Sequence, residues 1–275
     1  MEQVLFIVWR ESVEAMLVIG ILHAWLSHNP SAAGGKRWLW GGVALGLGLA
    51  GLLAVGLFAA AGLMGTHQDA FQAAMVFVAA VLIVHMVLWM RENGRTLKRK
   101  LESDMAEHAA SRNWWSVLAL VAIAVAREGS EAVVFLYGIL AGAQGAELGW
   151  LAFGGAVGFA LALATFGLLQ VGSRVLSWRL FFLVTEALLL LLAAALFISG
   201  VDRLLSMELL PPLLDPLWDS SVLLDDMSPI GGVVAALTGY RAHPSLTSAL
   251  AYCGYWLVIA LLLRQRHPVR RGMTA

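Results

Sequence analysis

Apolar residues run along most of the chain in stretches too long for strands and too continuous for the amphipathic helices of a soluble domain. A helix that crosses a membrane needs about 20 mainly apolar residues. Seven stretches reach that length: residues 4–26, 38–64, 70–90, 114–141, 148–172, 178–200 and 247–264. The interval 91–113, RENGRTLKRKLESDMAEHAASRN, is too charged to insert and reads as an amphiphilic loop. The interval 201–246 contains Pro211, Pro212, Pro216 and Pro229, which break any long helix, and reads as the longest segment outside the membrane. The expected fold is therefore all-α, a single transmembrane domain of seven helices.

Composition agrees with the pattern. Of the 275 residues, 60% are hydrophobic and 13% charged, against about 45–50% and about 25% in soluble domains. Cys253 is the only cysteine, which excludes disulfides within the chain, zinc knuckles and thiolate clusters. No basic region precedes the first apolar run, MEQVLFIVWRESVEAMLVIGILHAW, so it reads as a permanent helix and not a cleaved signal peptide.

The formal net charge is zero, but its distribution is uneven. Alternate loops place fourteen basic residues on one side: Lys36 and Arg37, six from Arg91 to Arg112, Arg174 and Arg179, and four from Arg264 to Arg271. The other side has Arg203 and Arg241 alone. The excess of positive charge on cytoplasmic loops then puts the C-terminus in the cytoplasm and the N-terminus outside.

Arg10 and Arg127 belong to neither side, because they lie within spans. A charge at a bilayer centre costs roughly 2.5–3.5 kcal/mol on insertion scales. Each arginine nevertheless opens a charged segment in an apolar run: RESVEAMLVIGILHA from Arg10 and REGSEAVVFLYGILA from Arg127. Both read Arg-Glu-x-x-Glu-Ala. The following span in each half carries Gly-x-x-x-Gly, Gly42/Gly46 and Gly154/Gly158, a spacing that lets helix backbones approach closely. The chain thus looks duplicated, with one repeat over about 4–90, the loop 91–113, a second repeat over about 114–200, the outer loop 201–246 and a last helix near 247–264. A repeat of three spans is odd, so the second copy must cross in the opposite sense. Inverted repeats with a binding site near the midplane are a recurring transporter design.

On a helix, residues three and four apart share a face. Arg10, Glu11 and Glu14 therefore project into one sector, as do Arg127, Glu128 and Glu131. Two such helices could bring four glutamates together as metal ligands, with Arg10 and Arg127 balancing charge. A purely structural ion pair does not call for the same pattern twice, and apolar replacement of a buried pair is often neutral. Sites built from carboxylate oxygen alone suit hard cations. Met16, Met75, Met86 and Met90 read as packing residues, and His23 and His85 as hydrogen-bonded interface residues. Glu186, in LVTEALLLLLAAAL, is a further ligand candidate. With both motifs it brings the site to three negative charges, enough for a trivalent ion. Asp225 and Asp226, in an outer loop rich in acids, could collect cations there.

These residues carry a resemblance. Paired Arg-Glu-x-x-Glu helices in a seven-span chain, with LWDSSVLLDD (217–226) and GGVVAALTGYRAHPSLTSALAY (231–252), resemble the high-affinity iron permeases, the oxidase-dependent iron and lead transporter family. The likeness covers nearly the whole chain. It departs at Ser12, where the family commonly has glycine, and at Gln72, where the family has glutamate after Phe71. The resemblance implies import of iron as Fe(III) across the cytoplasmic membrane, after an outside partner oxidises Fe(II). That partner would be a multicopper oxidase, a cupredoxin-like protein or a haem peroxidase. It implies no permanent cofactor, with iron as cargo. No phosphate-binding loop ending in Gly-Lys-Ser/Thr is present, and a trivalent ion moving inward gains roughly 7 kcal/mol per 100 mV of membrane potential. The alternatives are another cation such as lead or manganese, or an intramembrane metalloenzyme, for which the sequence lacks H-E-x-x-H.

Overall fold

The computed structural model describes residues 1–29, 32, 34–94, 96–110, 113–140, 146–171 and 178–265. Among these residues the fold is all helical: α1 (Glu2–His28), α2 (Gly35–Leu63), α3 (Gln68–Asn93), α4 (Leu97–Ala110), α5 (Trp114–Leu140), α6 (Ala146–Val171), α7 (Trp178–Ser206), α8 (Pro229–Thr238) and α9 (Leu246–Gln265). A single 3₁₀ turn, Gly65–His67, links α2 to α3. Five stretches are long and apolar enough to cross a membrane: Gly35–Leu63, Gln68–Asn93, Glu147–Leu168, Leu183–Ser206 and Leu246–Gln265. The charged residues of the two Arg-Glu-x-x-Glu segments keep α1 and α5 out of that set. The chain is a multi-pass membrane protein.

The chain forms two compact units, Met1–Leu190 and Leu191–Ala275. In the first, α2 lies along α5 and α6 lies along α1, while α1 and α3 also meet α5. Lipid is as apolar as leucine, so such contacts depend on close packing and not on a hydrophobic drive. The glycines show how close the packing is. A Cβ on Gly42 would stand 2.7 Å from the Leu118 carbonyl oxygen, and one on Gly46 would stand 2.8 Å from that of Ala122. On α6, a Cβ at Gly154 would meet Met1, and one at Gly158 would collide with the Leu5 carbonyl. The two pairs are seated alike. Leu118 and Met1 each precede their motif arginine by nine positions, and Ala122 and Leu5 precede theirs by five.

The polar stretch 91–113, expected as a loop, contains α4. Leu101 and Met105, four apart and therefore on one face, are buried against Leu22, Leu26, Val117 and Val121. Among the basic residues used to orient the chain, Arg95, Arg112, Arg174, Arg266, Arg270 and Arg271 lie outside the described residues.

In the second unit the prolines act differently from one another. Pro211, Pro212 and Pro216 lie in non-helical chain. Pro229 instead starts α8, where its missing N–H costs nothing. Ser228 caps that helix by accepting from the Gly231 N–H, and Gly239 ends it at φ 78°. The connecting segment is pinned by backbone bonds. Leu217 N–H donates to Pro244 O at 2.8 Å, Ser220 N–H to Ala242 O at 3.0 Å and Leu246 N–H to Leu214 O at 2.9 Å. The Asp202 carboxylate accepts from Arg241 Nε at 2.9 Å and from Ser248 Oγ at 3.0 Å.

Candidate metal centre

The two charged segments meet inside the first unit. Glu11 of α1 and Glu128 and Glu131 of α5 each offer a carboxylate oxygen, and these oxygens lie within 4.8 Å of one another. Glu11 is 3% exposed and Arg10 is 4% exposed. One oxygen on each of Glu11, Glu128 and Glu131 is buried without a hydrogen-bond partner. A buried polar atom left unpaired is costly, and an unpaired charge is more so. Three carboxylates gathered this closely, each with an oxygen that lacks a partner, are the kind of donor set a hard cation takes.

The arginines complete the cluster without filling it. Arg10 Nη1 donates to Glu11 Oε1 at 2.8 Å, and its Nη2 pairs with Glu14 one turn along the helix. Arg127 Nε donates to Glu131 Oε1 at 3.1 Å. Both guanidinium groups also touch α3: Arg10 Nη1 reaches Met86 Sδ at 2.6 Å, and Arg127 lies 4.0 Å above the Trp89 ring. Glu14 is committed to Arg10 and stands outside the three-oxygen group, although Arg127 and Glu131 are near enough for their charges to reach it.

The other predicted site residues are not members of this three-oxygen group. Glu186 forms an ion pair with Arg91, two residues along α3 from Trp89. Gln72 is buried, as is Thr185 beside Glu186. Asp225 and Asp226 belong to the second unit, where both hold local backbone. Asp225 Oδ1 accepts from the Met227 N–H at 2.9 Å, and Asp226 Oδ2 accepts from the Ala242 N–H at 3.4 Å. In the same unit Asp219 accepts from the Ser221 hydroxyl at 2.7 Å and from its N–H at 2.9 Å, with His243 Nε2 at 3.0 Å. Those bonds, the Ser221 hydroxyl first, hold the Asp219 carboxyl below the usual carboxylate range.

Three roles could not be read from sequence alone. Met86 and Trp89 follow an apolar pattern that signals packing. Arg91, just past the apolar run of α3, reads as a loop residue. Its pairing with Glu186 joins α3 to α7, a contact that periodicity within one helix does not reveal.

Charged segments gathered on closely packed helices of a multi-pass membrane protein suit a membrane permease for cations. The iron permease FTR1 family model matches residues 1–267, and the chain belongs to that family. Its members are transporters and not enzymes, with iron as transported substrate and not as a resident cofactor. Among curated relatives, the ferrous iron permease EfeU of Escherichia coli O6:H1 is 29% identical over 98% of this chain and 96% of its own length. The EfeU of Escherichia coli O157:H7 is likewise 29% identical, over the same shares. That of Shigella flexneri is 30% identical over 76% of this chain and 88% of its own. No solved structure matches the chain.

Proposed function

We propose that this chain imports iron across the cytoplasmic membrane through a site shared by α1 and α5, with Glu11, Glu128 and Glu131 as the first ligands. Glu14 stands in reserve on Arg10, and Arg10 and Arg127 balance charge. The observation that carries this reading is the gathering of three carboxylates from two helices distant in sequence, each with one oxygen that is buried without a hydrogen-bond partner.

In this reading seven helices cross the bilayer: α1, α2, α3, α5, α6, α7 and α9. Two inverted three-helix repeats, about 4–90 and 114–200, surround the site, and the last helix near 247–264 follows the outer segment 201–246. The matched seating of Gly42/Gly46 on α5 and Gly154/Gly158 on α1 supports the repeat, because equivalent glycines meet equivalent positions. The basic loops favour a cytoplasmic C-terminus and an outer N-terminus.

Charge bears on the oxidation state. Each motif contributes one arginine and two glutamates, so the pair carries −2. Glu186, the third charge in the ferric expectation, is paired with Arg91. A site at −2 balances Fe(II), which accords with the curated relatives being ferrous iron permeases. A divalent ion moving inward gains roughly 5 kcal/mol per 100 mV. The ferric route, with an external oxidising partner such as a multicopper oxidase, a cupredoxin-like protein or a haem peroxidase, needs Glu186 to leave Arg91 and join the site.

The test is uptake of radioactive iron into proteoliposomes that hold the purified chain, under an imposed inside-negative potential. Uptake of Fe(II) with weak competition from Mn(II) and Pb(II) is the expected result. Liposomes that stay impermeable to both Fe(II) and Fe(III) would refute the proposal.

A further inference from the structure

Two guanidinium groups, each with five N–H donors in a fork that matches a carboxylate, lie beside three carboxylate oxygens that have no partner. An arginine with freedom to turn would take those oxygens in bidentate fashion, gain charge-assisted bonds and cancel the negative charge. The chain's own arginines are therefore the nearest competitors of any incoming cation. Something must hold them back.

The restraint comes from α3. Arg10 Nη1 divides its donation between one Glu11 oxygen and the Met86 sulfur, which is buried. Arg127 lies with its planar group 4.0 Å above the Trp89 ring and reaches Glu131 through Nε alone. Met86 and Trp89 are three residues apart and share one face of α3. A sulfur accepts a hydrogen bond weakly, and an aromatic face attracts a guanidinium without carrying charge. Both contacts hold an arginine in place without adding another carboxylate or basic group to the site.

We propose that Met86 and Trp89 are positioning residues that hold Arg10 and Arg127 away from the partnerless oxygens of Glu11, Glu128 and Glu131, and so keep the site open to its cation. This rests on the metal-site reading given above. Trp89 sets the plane of the Arg127 guanidinium. Without an aromatic face there, Arg127 turns and engages Glu128 and Glu131, and the cation must then displace it. A desolvated contact of this kind corresponds to a change of about threefold to thirtyfold in an equilibrium constant.

Calorimetric titration of Fe(II) into the purified full chain, without oxygen, tests this. Trp89→Leu and Trp89→Phe both shrink the side chain, but only phenylalanine keeps a π face. Trp89→Leu should weaken iron binding by about threefold to thirtyfold, while Trp89→Phe stays close to the parent chain. Met86→Leu, which keeps the volume and removes the sulfur, should weaken binding in the same direction. A parent chain that binds iron while Trp89→Leu and Trp89→Phe behave alike overturns the positioning role and leaves the metal site standing. A parent chain that binds no iron overturns both. Binding without transport in liposomes would overturn the permease reading alone.

Discussion

Glu11 of α1 and Glu128 of α5 are far apart in sequence, yet a carboxylate oxygen of each lies within 4.8 Å of the other. α1 packs directly on α5, with α2 seated along α5 and α6 along α1. Small residues at those seams let the backbones nearly touch, and the charged turns of α1 and α5 are carried into the same interior. Like charges at this separation repel when both groups are ionised, and Arg10 and Arg127 offset part of that repulsion. In the proposed site a bound cation removes the rest.

The two arginines differ in depth, which sets the first prediction. The Arg10 side chain is 5% exposed and bridges Glu11 and Glu14, whereas that of Arg127 is 34% exposed. Breaking a buried pair by removing one partner costs about 3–5 kcal/mol, and a more exposed pair loses less to screening. Arg10→Gln should lower the thermal midpoint of the purified chain, and its abundance in the membrane, well below Arg127→Gln. Equal losses would show that the burial difference is not felt.

The glycine seams make a second prediction. Gly46→Ala and Gly158→Ala each push a methyl group into a backbone carbonyl of the facing helix, those of Ala122 and Leu5. Overpacking of this kind costs about 1–3 kcal/mol. Nothing lies within 4 Å of a Cβ at Gly56, so Gly56→Ala should be neutral or slightly stabilising. Melting temperatures of the three variants in detergent would separate the outcomes.

Glu186 provides a third. Because Arg91 takes its charge, Glu186→Gln should leave most Fe(II) uptake intact, while Arg91→Gln, which strands a carboxylate in the bundle, should reduce the amount of folded protein. Loss of Fe(II) uptake in Glu186→Gln at normal protein levels would return that residue to the ligand set. It would also favour the ferric route.

In the second unit, Asp219 makes a prediction about pH. Its carboxyl sits below the ordinary value near 3.8 because the anion accepts from Ser221 and faces His243. A lowered pKa in the folded state means that the anion contributes stability above about pH 4 and that this contribution fades as pH falls through the folded value. Protection of the amides of residues 217–228 against hydrogen exchange, taken relative to the intrinsic rate at each pH, should therefore fall below about pH 4 in the parent chain. In Asp219→Asn it should already be lower at neutral pH and change less on acidification.

Much of this arrangement is legible in the sequence, because charge in an apolar run has few explanations and the run occurs twice. Arg10, Glu11, Glu14 and their counterparts needed only helix geometry to share a face, and Gly42/Gly46 and Gly154/Gly158 needed only their spacing. The order of the ligands was less legible. Helix periodicity offers all four glutamates alike, whereas in the fold Glu14 is taken by Arg10 and Glu11 joins Glu128 and Glu131. Which partner an arginine selects depends on rotamers, and periodicity says nothing of those. The helix α4 went unseen because only Leu101 and Met105 mark its apolar face among many charges. Pro229 was read as a breaker, although the serine before it is a signal for a helix start.

In the proposed site α1 and α5 bind one ion together, and a double-replacement cycle on iron uptake shows whether they do. Radioactive iron uptake would be compared in Glu11→Gln, Glu128→Gln and the chain carrying both, at matched protein levels. Partners behind a metal ligand are already worth about 10–100-fold, so each single replacement of a ligand should reduce uptake by at least about tenfold. If the two carboxylates serve one ion, the double replacement falls little below the worse single. Uptake retained in either single, or losses that multiply independently, would contradict a shared site.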